Sequence, residues 1–369
     1  MAGGVKMKVS IITLHRVFNY GSVLQTYATE RLFKNLGCET EVIDYIPPKW
    51  QNKALYWDIS QKRGLLKDGI YRILRAGSVI LKKKTFGGFL NKNINLTKPY
   101  KSFEVLCNDC PEADIYCTGS DQVWNSHYSG IDKAFYLRFV RDDAKRIAIA
   151  ASIGKTELSE EEAKTVKEYL SDYSLVTVRE SSAVSLLERI GIKSEVILDP
   201  TLQIEREHWI SLASKRLIKD RYLILMLLYN EDNNATEYAR KISDEKGLKL
   251  VKLSWELKKP PLVDVLMTHR RPEDFLSLFY YADYVVTNSF HGLAFSINLN
   301  KQFTVVKRNE FNSRIDSLLE ITGLTERMIN HNLDMNIVDK PIDYNKVNDI
   351  LNNERIRTQI MMRENIDGK

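Results

Sequence analysis

The sequence has few of the residues that mark disulfide-rich, fibrous or membrane-spanning proteins. Its 369 residues include 4 cysteines, 17 glycines and 9 prolines, too few for a disulfide framework or a low-complexity chain. The longest uninterrupted apolar run, 222–229, is eight residues long, against the roughly 18 that a membrane span needs. Residues 1–8 lack the segments of a secretory signal. We therefore expect a cytoplasmic protein with free thiols.

Length and composition favour a two-domain globular protein. Single hydrophobic cores stop growing at roughly 250–300 residues, and the chain is 44% hydrophobic and 28% charged, as ordinary globular proteins are. Cys107 and Cys110 have the spacing of zinc ligands, but no second pair at similar spacing accompanies them. A structural zinc site needs four ligands, so we expect no metal.

The net charge of +6 is concentrated in residues 62–92, the basic segment. It holds nine Lys and Arg residues against Asp68 alone, so it carries +8 and the rest of the chain −2. Apolar residues recur in it close to helical spacing, which predicts a basic amphipathic helix within an insertion at about 60–100. Such a helix either covers the first domain or lies on anionic lipid at the inner face of the cell membrane. Because nucleic-acid-binding motifs are missing, we expect no nucleic acid partner.

Short β-branched runs alternate with helical segments, first from residue 8 and again after residue 203. This alternation predicts an α/β fold with parallel sheets and right-handed crossovers. Asp199 precedes a proline, which disfavours helix there and indicates a hinge. We therefore expect domains at 1–203 and 204–369, with the last helix, about 345–362, packing back on the first domain.

Five loops that follow predicted strands are rich in polar residues, and ligands bind at such positions in open parallel sheets. They span residues 19–22, 118–125, 152–154, 178–182 and 287–292. The first precedes a helix whose N–H groups suit an anion or a hydroxyl. The second brings together Asp121, Gln122 and Trp124, which suit a sugar. Alternatively, Asp121 caps the next helix and Trp124 lies in the core.

Arg179 and His291 are the strongest candidates for chemistry. Arg179 stands at a strand end, where a guanidinium can hold a carboxylate or phosphate with two hydrogen bonds; the alternative is a surface ion pair with Glu180. His291 lies between a strand and a helix, where an imidazole can transfer protons. A lone histidine also occurs often as a structural residue.

Together these loops resemble the polysaccharide pyruvyl transferase family, in particular its branch with Asn-Tyr-Gly and Ser-Phe-His-Gly loops. The matching motifs occur in order at 19–25, 119–125, 152–154, 178–181, 199–201, 282–292 and 312–315. The resemblance implies a GT-B-like fold with two Rossmann-like domains facing across a cleft. The acceptor side is then expected in 1–203 and the donor side in 204–369.

The resemblance also implies an activity, the transfer of the pyruvyl group of phosphoenolpyruvate to two hydroxyls of a sugar. The product is a cyclic ketal on an exopolysaccharide, a capsule or a lipid-linked oligosaccharide precursor, and no cofactor is implied beyond phosphoenolpyruvate as co-substrate. It assigns an anion clamp to Arg179 and proton transfer to His291. The chemistry of the transfer, considered apart from the resemblance, adds Asp121 as a candidate base on the acceptor hydroxyl. The expected substrate-binding residues are Asn19, Tyr20, Gly21, Gln25, Gly119, Ser120, Gln122, Trp124, Ser152, Asn288, Ser289 and Arg314.

One position departs from the family pattern. Other branches have arginine where this chain has Ser289. The missing donor contact must then come from Arg314, Lys307 or Arg308, unless the donor differs. Two other functions stay open at this point: a GT-B glycosyltransferase that uses a nucleotide-sugar donor, and a non-catalytic glycan-binding assembly protein.

Overall fold

The computed structural model describes residues 6–48, 65–228, 233–256, 258–308, 312–329 and 334–367. It describes the backbone but not the side chains of residues 65–76, 78, 79, 129 and 233. The described chain forms two parallel sheets with helices between the strands. Each described helix is too short or too polar to cross a lipid bilayer.

The first sheet takes its strands from the first half of the chain. They are β1 (Lys8–Ile12), β2 (Glu39–Tyr45), β3 (Leu96–Tyr100), β4 (Ile115–Thr118), β5 (Lys145–Ala151), β6 (Leu175–Val178) and β7 (Glu195–Val196). The helices between them are α1 (Tyr20–Asn35), α2 (Leu65–Asn93), α3 (Phe103–Asn108), α4 (Ser126–Ser129), α5 (Glu160–Leu170) and α6 (Ser181–Arg189). The strand order is β3-β2-β1-β4-β5-β6-β7, a Rossmann-like order.

The second sheet follows two linking helices, α7 (Pro200–Gln203) and α8 (Arg206–Leu212). Its strands are β8 (Tyr222–Met226), β9 (Lys249–Leu253), β10 (Val265–Met267), β11 (Tyr284–Thr287), β12 (Gln302–Val306) and β13 (Met328–Ile329). The remaining helices are α9 (Asn233–Lys246), α10 (Pro272–Tyr280), α11 (Phe290–Asn298), α12 (Ser313–Thr322) and α13 (Tyr344–Asp367). The order β10-β9-β8-β11-β12-β13 repeats the pattern of the first sheet, so the predicted α/β fold is confirmed.

The stretch 60–100 differs from the predicted insertion. Helix α2 is the crossover between β2 and β3, and β3 forms an edge strand that the sequence analysis missed. Pro99 lies in that strand, where the edge position tolerates a residue without an N–H donor. The helix therefore completes the βαβ unit. Residues 62–64 of the basic segment lie outside the described residues.

Aromatic side chains join the two halves. The Tyr20 ring, at the start of α1, stacks on Trp255 at 5.4 Å and on Phe275 at 5.0 Å between ring centroids. Its hydroxyl donates a hydrogen bond to the Arg270 carbonyl (3.0 Å). Tyr20 is buried, so these contacts fix α1 against the second half.

The last helix, α13, lies against the first half and the linker. An Arg357 amine donates to the Val196 carbonyl (2.6 Å), and Gln203 Nε2 donates to Thr358 Oγ1 (2.9 Å). These contacts tie the end of the chain to β7 and α7. The boundary near residue 203 stays a prediction.

Candidate functional site

Loops from both sheets meet at the junction of the two halves. In each sheet the strand order reverses beside the first strand, between β1 and β4 and between β8 and β11. Crevices at such points are the usual ligand sites of open α/β sheets. The loops after β1, β4, β5, β6 and β11 carry most of the residues that the sequence analysis singled out, and Arg314 lies at the start of α12.

Arg179, directly after β6, is the centre of a buried charge network. One guanidinium nitrogen donates to Asp199 Oδ2 (2.7 Å) and the other to Asp121 Oδ1 (3.1 Å). Ser120 Oγ donates to the same Asp199 oxygen (2.8 Å). The Arg179 side chain is 0% exposed, so it is not the surface ion pair with Glu180 considered above. A buried charge needs such pairing to be stable.

Asp199 is a site residue that the sequence analysis missed, because it treated the residue only as a hinge. Its Oδ1 accepts the Thr201 N–H (3.0 Å) and hydroxyl (2.7 Å), which caps α7. Burial raises the pKa of Asp199, but the Arg179 guanidinium, His291 and the two hydrogen bonds from Thr201 together outweigh burial, and the pKa falls to about 2. Asp199 is therefore an anion at neutral pH. The sequence did contain a signal for the site role of Asp199, which is its position in the 199–201 motif.

His291, in the first turn of α11, packs directly on the backbone of Gly21. A Cβ added at Gly21 would lie 1.9 Å from His291 Nδ1, so this position admits only glycine. His291 Nε2 is 4.0 Å from Asp199 Oδ2 and has no hydrogen-bond partner among the described residues. Burial lowers the pKa of His291 to about 4. The imidazole is neutral at pH 7 in the ligand-free protein.

Arg314, in the first turn of α12, adds a second buried cation. Its guanidinium carbon lies 5.9 Å from the centre of the Phe290 ring, and that of Arg179 lies 4.6 Å from the same centre. In the described part of the chain no hydrogen-bond or ion-pair partner contacts the Arg314 guanidinium. Burial, and then Arg179, lower the pKa of Arg314 to about 10. Its charge is therefore poorly compensated.

Asp121 is held in a strained backbone conformation, with φ at +78°. Residues other than glycine seldom adopt this region, and such strain persists where the surroundings enforce it. One carboxylate oxygen accepts the Ser22 hydroxyl, and the other accepts Arg179 and the Gln122 N–H (2.9 Å). Burial raises the pKa of Asp121, but Arg179, His291 and the hydrogen bonds that the carboxylate accepts together outweigh burial, so the pKa is lowered. These properties suit a counter-ion better than the proposed base.

Glu180 was considered only as an ion-pair partner, yet it organises a second loop. Its Oε1 accepts the Ser152 hydroxyl (2.9 Å) and the N–H groups of Ile153 and Gly154 (both 3.0 Å). Ser152 therefore anchors its loop and does not face the crevice. Glu180 is fully buried, and its Oε2 has no partner within the described ranges.

Three predicted substrate-binding residues support the loops instead. Asn19 Oδ1 accepts the Gly21 N–H (2.8 Å) and so caps α1, and Gln25 Nε2 donates to Thr13 Oγ1 (3.0 Å). A Cβ at Gly119 would lie 3.1 Å from the Thr13 Cβ, so Gly119 allows two loops to approach closely.

Asn288 and Ser289 have comparable supporting roles. Asn288 Oδ1 accepts the Leu228 N–H (2.6 Å), which joins the loops after β8 and β11. Ser289 Oγ accepts the Gly292 N–H (3.3 Å) and caps α11. The Ser289 oxygen is therefore used within its own helix, and the hydroxyl proton is left to donate.

Trp124 lies in the core, as in the alternative considered for this loop. It is 2% exposed, its indole N–H donates to the Phe135 carbonyl (3.0 Å), and its ring stacks on Tyr136 at 5.6 Å. It presents no face to a sugar. Gln122 Oε1 accepts the Asn125 side-chain amide (2.8 Å) and holds the turn after β4.

Comparison with solved structures defines the class of fold. A UDP-N-acetylglucosamine 2-epimerase is 13% identical, with a TM-score of 0.54 over 99% of this chain and 97% of that chain. A Listeria monocytogenes protein provisionally assigned the same activity is 13% identical, with a TM-score of 0.51 over 99% and 98%. The fold is GT-B-like, with two Rossmann-like domains, as predicted.

The family follows from the sequence itself. The chain belongs to the polysaccharide pyruvyl transferase family, whose model matches residues 19–310, which confirms the assignment made from the motifs. Membership places the chain among the transferases of polysaccharide biosynthesis. No curated protein sequence matches it significantly.

Replacing Gly21 with alanine should displace His291, because the new Cβ would overlap the imidazole. We expect the free energy of unfolding to fall by about 1–3 kcal/mol, the usual cost of overpacking, measured by urea denaturation. Gly88→Ala is the control, because Gly88 lies in α2 with open space around it. Equal losses in the two variants would contradict the packing argument.

Acid should destabilise the protein partly through His291. An unfolded imidazole binds a proton near pH 6.5, whereas in the folded chain His291 does so only near pH 4. The unfolded state therefore binds more protons in this window, and stability falls as the pH drops from 6.5 to 4. The full contribution is about 3 kcal/mol. Urea denaturation at pH 7 and 4.5 should show a smaller loss for His291→Gln, and identical losses would exclude this contribution.

Proposed function

We propose that this protein transfers the pyruvyl group of phosphoenolpyruvate to two hydroxyls of a sugar in a polysaccharide or its precursor. The observation that carries the proposal is the buried Arg314 guanidinium, which lies beside Arg179 and forms no hydrogen bond or direct ion pair with the described residues, although Glu180 and Asp121 act on it from farther away. An unpaired buried cation costs several kcal/mol. An anionic donor bound there would remove that cost, and phosphoenolpyruvate carries both a phosphate and a carboxylate.

Arg314 is our candidate for the contact that Ser289 cannot make. The Ser289 hydroxyl caps α11, and Lys307 is exposed. The guanidinium groups of Arg314 and Arg179 both lie near the Phe290 ring, which supports an anion site with two arginines. Arg314 lies beyond the residues that the family model matches, 19–310, but within the 312–315 motif of the sequence, and its guanidinium lies near that of Arg179.

His291 is the candidate for proton transfer. Its unpartnered Nε2 is available to a ligand, and Asp199 lies close enough to stabilise an imidazolium. A bound anion would raise the pKa of the neutral imidazole, because opposite charge favours the protonated form. Donor binding would therefore charge the acid that the reaction needs.

The proposed reaction then proceeds in balanced steps. His291 protonates the methylene carbon of the enol phosphate, and the adjacent carbon becomes oxocarbenium-like. One sugar hydroxyl adds there and gives its proton to the His291 imidazole, which is neutral after the first step. The phosphate leaves with the electron pair of its C–O bond, and the second hydroxyl closes the ring and gives its proton to the departing phosphate. The arginines stabilise the negative charge on the leaving phosphate.

The direct test is mass spectrometry of sugar acceptors, free, nucleotide-linked and lipid-linked, incubated with phosphoenolpyruvate. We expect an acceptor that gains a pyruvyl ketal, with release of inorganic phosphate. His291→Gln should slow the reaction by about 10²–10⁴-fold, the usual range for general acid–base catalysis. A chain that transfers sugar from a nucleotide donor, or binds glycans without reaction, would contradict the proposal.

Removing the Arg314 charge should weaken donor binding. We expect Arg314→Met to bind phosphoenolpyruvate at least thirtyfold more weakly by calorimetry, because loss of a buried partner of an anion costs about 2–5 kcal/mol. Lys307→Met is the matched control, since Lys307 is exposed. Its affinity for phosphoenolpyruvate should stay within about twofold of the wild-type affinity. Similar losses in both variants would indicate that only long-range charge matters.

We further propose that the protein works in the cytoplasm, peripherally on the inner face of the cell membrane. On α2, Phe86, Phe89 and Leu90 are buried, whereas Ile80 and Leu81 are 66% and 45% exposed. Lys83 and Lys84 are also exposed. Apolar and cationic side chains on one exposed helix suit an anionic lipid surface.

Liposome co-sedimentation tests this association. The wild type should bind anionic vesicles at low salt and dissociate at 1 M salt, where the Debye length falls to about 3 Å. The double variant Lys83→Gln with Lys84→Gln should bind more weakly. The same change at Lys164 and Lys167, exposed on α5, is the charge-matched control. Wild-type protein that stays in the supernatant at low salt would show α2 to be only a solvated cover.

A further inference from the structure

A cavity of about 470 Å³ opens beside the site at the carboxyl ends of β8 and β9. Asn19 and Leu228 line it on one side, and Ser254, Trp255 and Glu256 line it on the other. The mechanism proposed above uses none of these side chains. Most of this lining comes from the second half of the chain.

Two residues that line the cavity are bonded to neighbours of His291. Asn19 accepts a hydrogen bond from the Gly21 N–H (2.8 Å), and Gly21 packs on the His291 ring. Leu228 is bonded through its N–H to Asn288 (2.6 Å), which lies in the same loop as His291. The cavity is therefore adjacent to the loops that hold His291.

The polar groups of the cavity match uncharged hydroxyls. Glu256 Oε1 accepts the Lys252 ammonium (3.0 Å), whereas Oε2 is buried without a partner in the described structure. Ser254 Oγ accepts the Glu256 N–H (3.2 Å), which leaves its own proton to donate. Asn19 uses its oxygen to cap α1, so its amide N–H groups can donate. A carboxylate here repels phosphate and accepts hydrogen bonds from hydroxyls.

The aromatic wall does not suit a nucleobase. The Trp255 indole is stacked on Tyr20 at 5.4 Å, with an interplanar angle of 12°. The Lys82 ammonium lies 4.5 Å from the centre of the same ring. With Tyr20 stacked on the indole and the Lys82 ammonium over the same ring, groups of the protein already contact the surface on which a flat base would stack.

We propose that this cavity binds the acceptor, as an uncharged sugar ring whose hydroxyls donate to Glu256. The assignment of the ring as acceptor rests on the proposed function, but sugar binding itself does not. The acceptor would then lie mainly on the second half of the chain. The sequence analysis expected it in residues 1–203.

Saturation-transfer NMR without phosphoenolpyruvate tests the cavity. The probes are the methyl glycosides of galactose, glucose, mannose and N-acetylglucosamine, with UMP as the nucleobase probe. At least one glycoside should bind the wild type. The Glu256→Gln variant should bind that glycoside at least fivefold more weakly. Ser254→Phe, which fills the cavity, should abolish binding. Glu237→Gln, at an exposed position on α9, is the matched control and should change nothing.

Donor binding separates this proposal from the proposed function. Glu256→Gln and Ser254→Phe should bind phosphoenolpyruvate as the wild type does, whereas Arg314→Met should lose the donor and keep the glycoside. If neither the wild type nor any variant binds phosphoenolpyruvate while the glycoside still binds the wild type, the proposed function is overturned and the cavity assignment stands. The cavity proposal is overturned if no glycoside binds the wild type, if Glu256→Gln binds as tightly as the wild type, or if UMP binds and is lost in Ser254→Phe.

Discussion

The buried Arg179 guanidinium sets the arrangement of the site. A charge with no exposure is stable only where carboxylates surround it, and here Asp121 and Asp199 do so from two separate loops. Their positions fix the turn after β4 and the start of α7. The strained backbone of Asp121 is one cost of this pairing. Arg314 and the His291 imidazole lie beside this network.

The site is a joint product of both halves of the fold. Arg179 and its two carboxylates come from the first half and the linker, whereas His291 and Arg314 come from the second. The Ser181 N–H donates to Ser317 Oγ (3.0 Å), so α6 and α12 meet where Arg314 enters. Since the aromatic junction around Tyr20 holds the halves together, its packing controls the geometry of the charges.

The fold that this chain shares with the epimerases and the charges of its own site come from different parts of the chain. Two parallel sheets with reversed strand order create a crevice in any GT-B-like protein, which accounts for the structural likeness to sugar-nucleotide epimerases. The charges in the crevice belong to residues in loops and first helical turns and not to the strands. Here Ser289 caps α11, and Arg314 lies in the first turn of α12. The two buried arginines, Arg179 and Arg314, therefore come from separate parts of the chain.

The sequence by itself determined the two α/β halves, the family and the loops that carry the site, because strand and helix periods and short motifs are local patterns. It also singled out Arg179 and His291. Only the tertiary structure decided that Trp124 lies in the core, that Asp199 and Glu180 organise the loops, and that residues 65–100 supply a crossover helix and an edge strand of the first sheet. These outcomes depend on partners far apart in the chain. Strand order and the packing of the two halves decide which loops meet. The local spacing of residues in the sequence does not predict this.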